Sequence, residues 1–131
     1  MNERMIFLNE NKTEELLRVM QEERKGALSA ELEYLVRFDP NFMTAYQALY
    51  PVSFYDGRYL TERTRELIAI CIIAYRGDVS SVKAHCKRLL AAGAEEGEIV
   101  EALEASMTPG GANTLLSGIK GLLQAKEDLA K

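Results

Sequence analysis

Arg65–Cys86 reads RELIAICIIAYRGDVSSVKAHC, and this stretch decides the fold. Nine consecutive apolar residues, Leu67 to Tyr75, follow a single glutamate, Glu66. Gly77-Asp78 then interrupts the run, and a second helical pattern carries the only histidine of the chain, His85. Glycine ends helices because it accepts a left-handed backbone, and aspartate starts them because its carboxylate receives the free N–H groups of the first turn. The stretch therefore predicts a helical hairpin. Thr61 opens its first arm, and Val79 to Ala92 forms the second, closed by Gly93.

The hairpin fixes the depth of its polar groups. At 1.5 Å of rise per residue, Glu66 lies roughly 15 Å back from Arg76, and His85 lies roughly 10 Å beyond Asp78. Folding the arms antiparallel brings the two to similar depth. Glu66 shares a face with Ile70 and Ile73, and His85 shares one with Asp78, Ser81 and Val82. A carboxylate beside an imidazole fixes its tautomer and raises its basicity, leaving the second ring nitrogen to take or give a proton. The alternative is that Glu66 pairs at the surface with Arg63 or Lys83 while His85 is a hydrogen-bonded core residue. One histidine, with no cluster of nitrogen or sulfur ligands around it, argues against zinc, and no cofactor is expected.

Outside the hairpin the chain reads as all-α. Apolar spacing of three and four recurs, and alternating β-branched stretches are absent. Helices are predicted over Thr13 to Arg24 with Thr13 as cap, over Glu31 to Arg37, and over Asn41 to Tyr50, where Pro51 limits continuation. Asp56-Gly57 marks a turn. A further helix runs from Glu95 or Glu96 to Met107, "TPGG" at Thr108 to Gly111 breaks it, and the last runs from Ala112 to about Ala130. Residues 1–12 lack helical periodicity and read as an N-terminal arm.

The chain has 131 residues, 47% apolar, with a formal charge of −4. That length suits one domain, 1–131. Mixed charges give no positive field for nucleic acid, and the longest apolar run is far below the roughly 18 residues that span a bilayer, so neither nucleic acid nor membrane is expected as a partner. With no basic and apolar leader the protein is expected to be cytoplasmic, where Cys71 and Cys86 act as small buried hydrophobes. Tyr46, Leu49, Tyr50, Phe54, Tyr55 and Tyr59 supply more apolar surface than a short core readily buries. Their destinations are subunit contacts or a cap over the hairpin.

"TRELIAICIIA" at 64–74, a histidine nineteen positions after the glutamate, "RLLAAGAEEGEIVEAL" at 88–103 and a glycine-rich break before "ANTLL" together resemble the carboxymuconolactone decarboxylase-like and alkylhydroperoxidase D-like family. The resemblance covers about Phe42 to Leu123. It implies an alkylhydroperoxidase D-like helical fold around a central antiparallel hairpin, assembled as a homo-oligomer, a trimer or hexamer, with the site near a subunit interface. The peroxidase branch carries a Cys-x-x-Cys motif at positions matching Asp78 and Ser81, neither of which is cysteine here. With no thiolate at the helix N-terminus, that nucleophile is missing.

The decarboxylase branch keeps the glutamate and the histidine without the cysteines. What it implies is a non-redox lyase acting on a small carboxylated lactone or a related enolisable molecule. His85 would be the general acid/base and Glu66 its orienting partner. Ser81, with the N–H groups around Val79 to Ser81, would bind an anion, with Arg76 and Asn113 as further substrate contacts. At the break this chain reads "PGGAN" where the decarboxylases usually read Val-Pro-Ala-Ala-Asn. Two rivals stand beside this reading: a thiol oxidoreductase using Cys71 or Cys86, and a noncatalytic binding or assembly member of the family.

Overall fold

Seven helices and no strands make up the described residues of the computed structural model, which are 3–25 and 28–131, with side chains described from residue 10 onward. They fall into two units, Met1–Ser53 and Phe54–Lys131.

The first unit holds α1 (Glu3–Glu23), α2 (Ala30–Phe38) and nearly all of α3 (Pro40–Phe54). Its core is Leu16, Leu17 and Met20 from α1, Val36 from α2 and Met43 from α3. Ser29 caps α2 by accepting from the Leu32 N–H, and Asp39 accepts from the Phe42 N–H at 3.0 Å, so Asp39-Pro40 both ends α2 and starts α3. Two expectations are corrected here. α1 begins at Glu3, ten residues before Thr13, which lies inside the helix and is buried rather than capping it. Once Leu16, Leu17 and Met20 anchor a turn, each residue added toward the N-terminus gains a hydrogen bond without a new nucleus, so helix propagates through the polar Asn9–Lys12 stretch. Of the expected arm, Met1 and Asn2 lie outside the described residues, and Glu3 to Lys12 is helical. α3 also runs through Pro51 to Phe54. Proline removes one N–H, and so near a helix end the loss is confined to the last turn.

The second unit is built from α4 (Glu62–Tyr75), α5 (Val79–Ala91), α6 (Glu96–Gly110) and α7 (Ala112–Leu129). α4 and α5 are the predicted hairpin. Thr61 caps α4 through the Thr64 N–H. At the other end the Gly77 N–H bonds Ala74 O at 2.9 Å and the Asp78 N–H bonds Ile73 O at 3.3 Å, the paired closure that needs a left-handed residue, and Gly77 has φ +74°. Asp78 then caps α5. α6 starts with a reciprocal cap in which the Glu95 N–H donates to Glu98 Oε2 at 2.8 Å. It ends at Gly110, beyond the predicted Met107, with Gly111 as its C-cap and Pro109 in its last turn.

Around α7 the hairpin and α6 close a core of Ile70, Ala74, Val82, Cys86, Leu89, Ile99, Leu103, Leu122 and Ala125. Two α7 glycines let the helices approach: a Cβ on Gly121 would stand 2.4 Å from Val82 Cγ1, and one on Gly118 would stand 2.3 Å from Leu103 Cδ2. The Val82 side chain of α5 is thus seated directly on the α7 backbone at Gly121.

Candidate active site

The hairpin brings Glu66 and His85 together. Glu66 sits one turn into α4 with its side chain 6% exposed, and its Oε1 hydrogen-bonds Nδ1 of His85, whose side chain is 14% exposed. Among the described residues no partner is recorded at Nε2 of the same ring. Glu66 holds the Nδ1 edge.

A third group completes the cluster. Arg88, one turn beyond His85 on α5, places Nη2 3.2 Å from Glu66 Oε1 and 3.0 Å from His85 Nδ1. Its guanidinium carbon lies 5.6 Å above the ring of Phe54, the last residue of α3, and that ring stands 5.5 Å from the imidazole at a tilt of 32°. Sequence reading missed Arg88. Its signal was the interval of three from His85, which puts both on one helical face.

The other expected contacts are placed elsewhere. Ser81 donates its hydroxyl to Asp78 Oδ2 at 2.6 Å and its N–H to Asp78 Oδ1 at 3.2 Å. The start of α5, expected to cradle a substrate anion, is filled by the chain's own carboxylate. The Ser81 hydroxyl, and then its N–H, hold the Asp78 carboxyl below the usual carboxylate range, with smaller help from Arg76 and His85. Arg76 is the exposed C-cap of α4, at the hairpin turn rather than beside Glu66. Asn113 is exposed in the first turn of α7, whose cap position belongs to Gly111.

Neither cysteine joins the cluster as a nucleophile, and both are free thiols. Cys86 faces the core, fully buried, and burial, then the Glu66 charge, pushes its thiol up to about 12. Cys71 donates to Ala102 O at 3.3 Å, and burial raises its thiol as well. Cys71 borders an open, apolar groove of about 310 Å³ with Ile72, Tyr75, Ser106, Pro109, Gly110 and Thr114; Glu66, His85 and Arg88 are not among its walls. Among the described residues no group of three or more His, Cys, Asp or Glu side chains could hold a metal ion, and no helix is long and apolar enough to cross a membrane.

No curated protein sequence matches the chain. Two crystal structures share its fold. A proposed carboxymuconolactone decarboxylase from Burkholderia xenovorans LB400 superposes with a TM-score of 0.74 at 19% identity, over 90% of this chain and 96% of that one. A carboxymuconolactone decarboxylase family protein from Legionella pneumophila gives 0.68 at 22% identity, over 92% and 99%. The sequence model of the carboxymuconolactone decarboxylase family matches residues 40–122, which take in the whole hairpin, Glu66, His85 and Arg88. By that match, over well more than half its length, the chain belongs to the carboxymuconolactone decarboxylase family.

Proposed function

We propose that this protein is a non-redox acid–base lyase acting on a small carboxylated lactone or a related enolisable molecule, with His85 as the general acid/base. The observation that carries the reading is the hydrogen bond from the only imidazole of the chain to the nearly buried Glu66. Glu66 would orient the ring and stabilise the imidazolium that forms when Nε2 accepts a proton. On a carboxylated substrate the carbon–carboxylate bond would break, releasing CO₂ and leaving its electron pair as an enolate. Protonated His85 would then deliver its Nε2 proton to carbon and be restored from solvent. On a substrate without a labile carboxylate the same atom would move a proton between carbon and base.

The filled cap of α5 narrows the substrate. Asp78 sets a negative charge where a second substrate carboxylate was expected to dock, so an uncharged or singly charged molecule suits this chain better than a dicarboxylate. Thiol chemistry is disfavoured by the same structure. Burial and the Glu66 charge keep the Cys86 thiol protonated, and Cys86 is sealed from solvent. The reading extends to a cytoplasmic homo-oligomer, trimeric or hexameric, which sedimentation over a dilution series would test.

Thermal-shift screening with small lactones, keto acids and muconate-like dicarboxylates is the test of function. The expected outcome is stabilisation of the parent by a lactone or keto acid, lost in His85→Ala while that variant keeps its own folded transition. Binding that survives in His85→Ala, or peroxide consumption abolished by Cys71→Ser or Cys86→Ser, would overturn the proposal.

A further inference from the structure

One oxygen, one ring nitrogen and one guanidinium nitrogen converge within hydrogen-bonding reach where α4 meets α5. Their capacities are unequal. A carboxylate oxygen accepts two hydrogen bonds, a guanidinium only donates, and an imidazole nitrogen carries either a proton or a lone pair in the ring plane. If Nδ1 carried the lone pair and accepted from Arg88, it would face Glu66 Oε1 as one acceptor against another. If Nδ1 carries the proton, it and Arg88 Nη2 are two donors 3.0 Å apart that converge on the same acceptor, Oε1, which has a lone pair for each.

From this we infer that Arg88 is a positioning residue, which pins Glu66 Oε1 between guanidinium and imidazole so that His85 is held as the Nδ1–H tautomer with the Nε2 lone pair facing the substrate. The choice of arginine has a physical basis. A planar guanidinium lies over the Phe54 ring while one edge donates to the carboxylate, a combination that the compact, strongly hydrated lysine ammonium does not reproduce. Other charges leave the assignment intact. Lys83 and Lys87 are both engaged with Asp128 of α7, Arg63 of α4 with Glu98 of α6, and Asp78 with Ser81. The tautomer is a property of the resting protein. Its use for proton transfer rests on the reading under Proposed function.

A chain with one histidine permits a direct test, because nitrogen-15 spectra of the imidazole contain one spin system. The wild type at neutral pH should show Nδ1 as the protonated nitrogen. Arg88→Met should move the ratio of tautomers about tenfold toward Nε2–H, the form free histidine favours, and Arg88→Lys should restore it only in part. Circular dichroism would confirm that each variant is folded. An Nε2–H tautomer in the wild type overturns the inference without any variant, and so does an unchanged ratio in folded Arg88→Met. The two proposals fail separately: absence of ligand binding sinks the lyase reading while the spectra still decide the role of Arg88.

Discussion

Each unit of the molecule packs an arginine over an aromatic ring, and the two differ in what the cation meets. Arg24, 8% exposed, donates from Nη1 to the amide oxygen of Gln47 at 2.6 Å, and its guanidinium carbon lies 4.5 Å over Tyr50. Arg88 lies over Phe54 and donates to Glu66, which also holds His85. The Gln47 amide oxygen exchanges no proton near neutral pH, so its bond with Arg24 ties α1 to α3 and moves nothing. Burial lowers the Arg24 guanidinium from its ordinary value, and Tyr46 and Glu23 offset only part of it. Beside Arg88 stand a carboxylate and an imidazole, both of which can carry or release a proton. A cation packed on a ring therefore says little about chemistry by itself; the imidazole that shares its carboxylate makes the difference.

Removing the carboxylate should give the largest effect. Glu66→Ala removes the carboxylate shared by the imidazole and by Arg88, which has 19% of its side chain exposed. Breaking such a pair from one side costs about 3 kcal/mol, read as a lower urea midpoint at unchanged slope. Turnover should fall by about 10² or more, since His85 loses the group that orients it. A variant as stable as the parent would mean that Arg88 turns freely to solvent, and the contrast with Arg24 would vanish.

The Arg24 cluster should respond less, and differently. Arg24→Met removes the donor to Gln47 and leaves a nearly buried amide oxygen short of a partner, a loss of about 1–2 kcal/mol. Adding Gln47→Leu removes the orphaned acceptor and should recover part of that loss, because replacing both members of a buried polar pair by apolar groups is close to neutral. Ligand binding at His85 should be unchanged in both variants. A weakened ligand response in Arg24→Met would show that the two clusters are not separable into a structural one and a chemical one.

The contrast was only half legible in the sequence. Helix rise and the Gly77-Asp78 turn put Glu66 and His85 at one depth, because in a short hairpin two distances along the chain become one in space, but left open whether Glu66 turned instead to a surface cation. Arg88 was equally available at three residues from His85, yet an arginine on a helix is so often solvated that spacing alone did not single it out. The close approach of α7 was written in Gly118 and Gly121, but helical spacing does not say which neighbour a missing side chain makes room for. Pro51 and Pro109 misled for the opposite reason: each costs its helix one hydrogen bond, and a single lost bond in the last turn does not stop a helix already formed. Ser81 was read as an anion receptor on its hydroxyl and helix position, and its own cap residue had already taken both of its donors.

The smallest predicted effect concerns that cap and has a defined pH window. The Ser81 hydroxyl and N–H hold the Asp78 carboxyl below its unfolded value of about 3.9. A carboxyl lowered by folding contributes stability that is fully present above the unfolded value and disappears as pH falls through the folded one. Asp78→Ala should therefore cost about 1 kcal/mol at pH 7, the usual value of a side-chain cap. Between pH 5 and pH 2 the parent should lose that advantage until the two urea midpoints converge. The variant also removes the negative charge nearest His85 along α5, so the ligand screen doubles as a probe of substrate charge. If Asp78 repels a second carboxylate, dicarboxylates that leave the parent unshifted should stabilise Asp78→Ala, whereas a variant that still ignores them would put the limit on substrate charge within the Glu66–His85–Arg88 cluster itself.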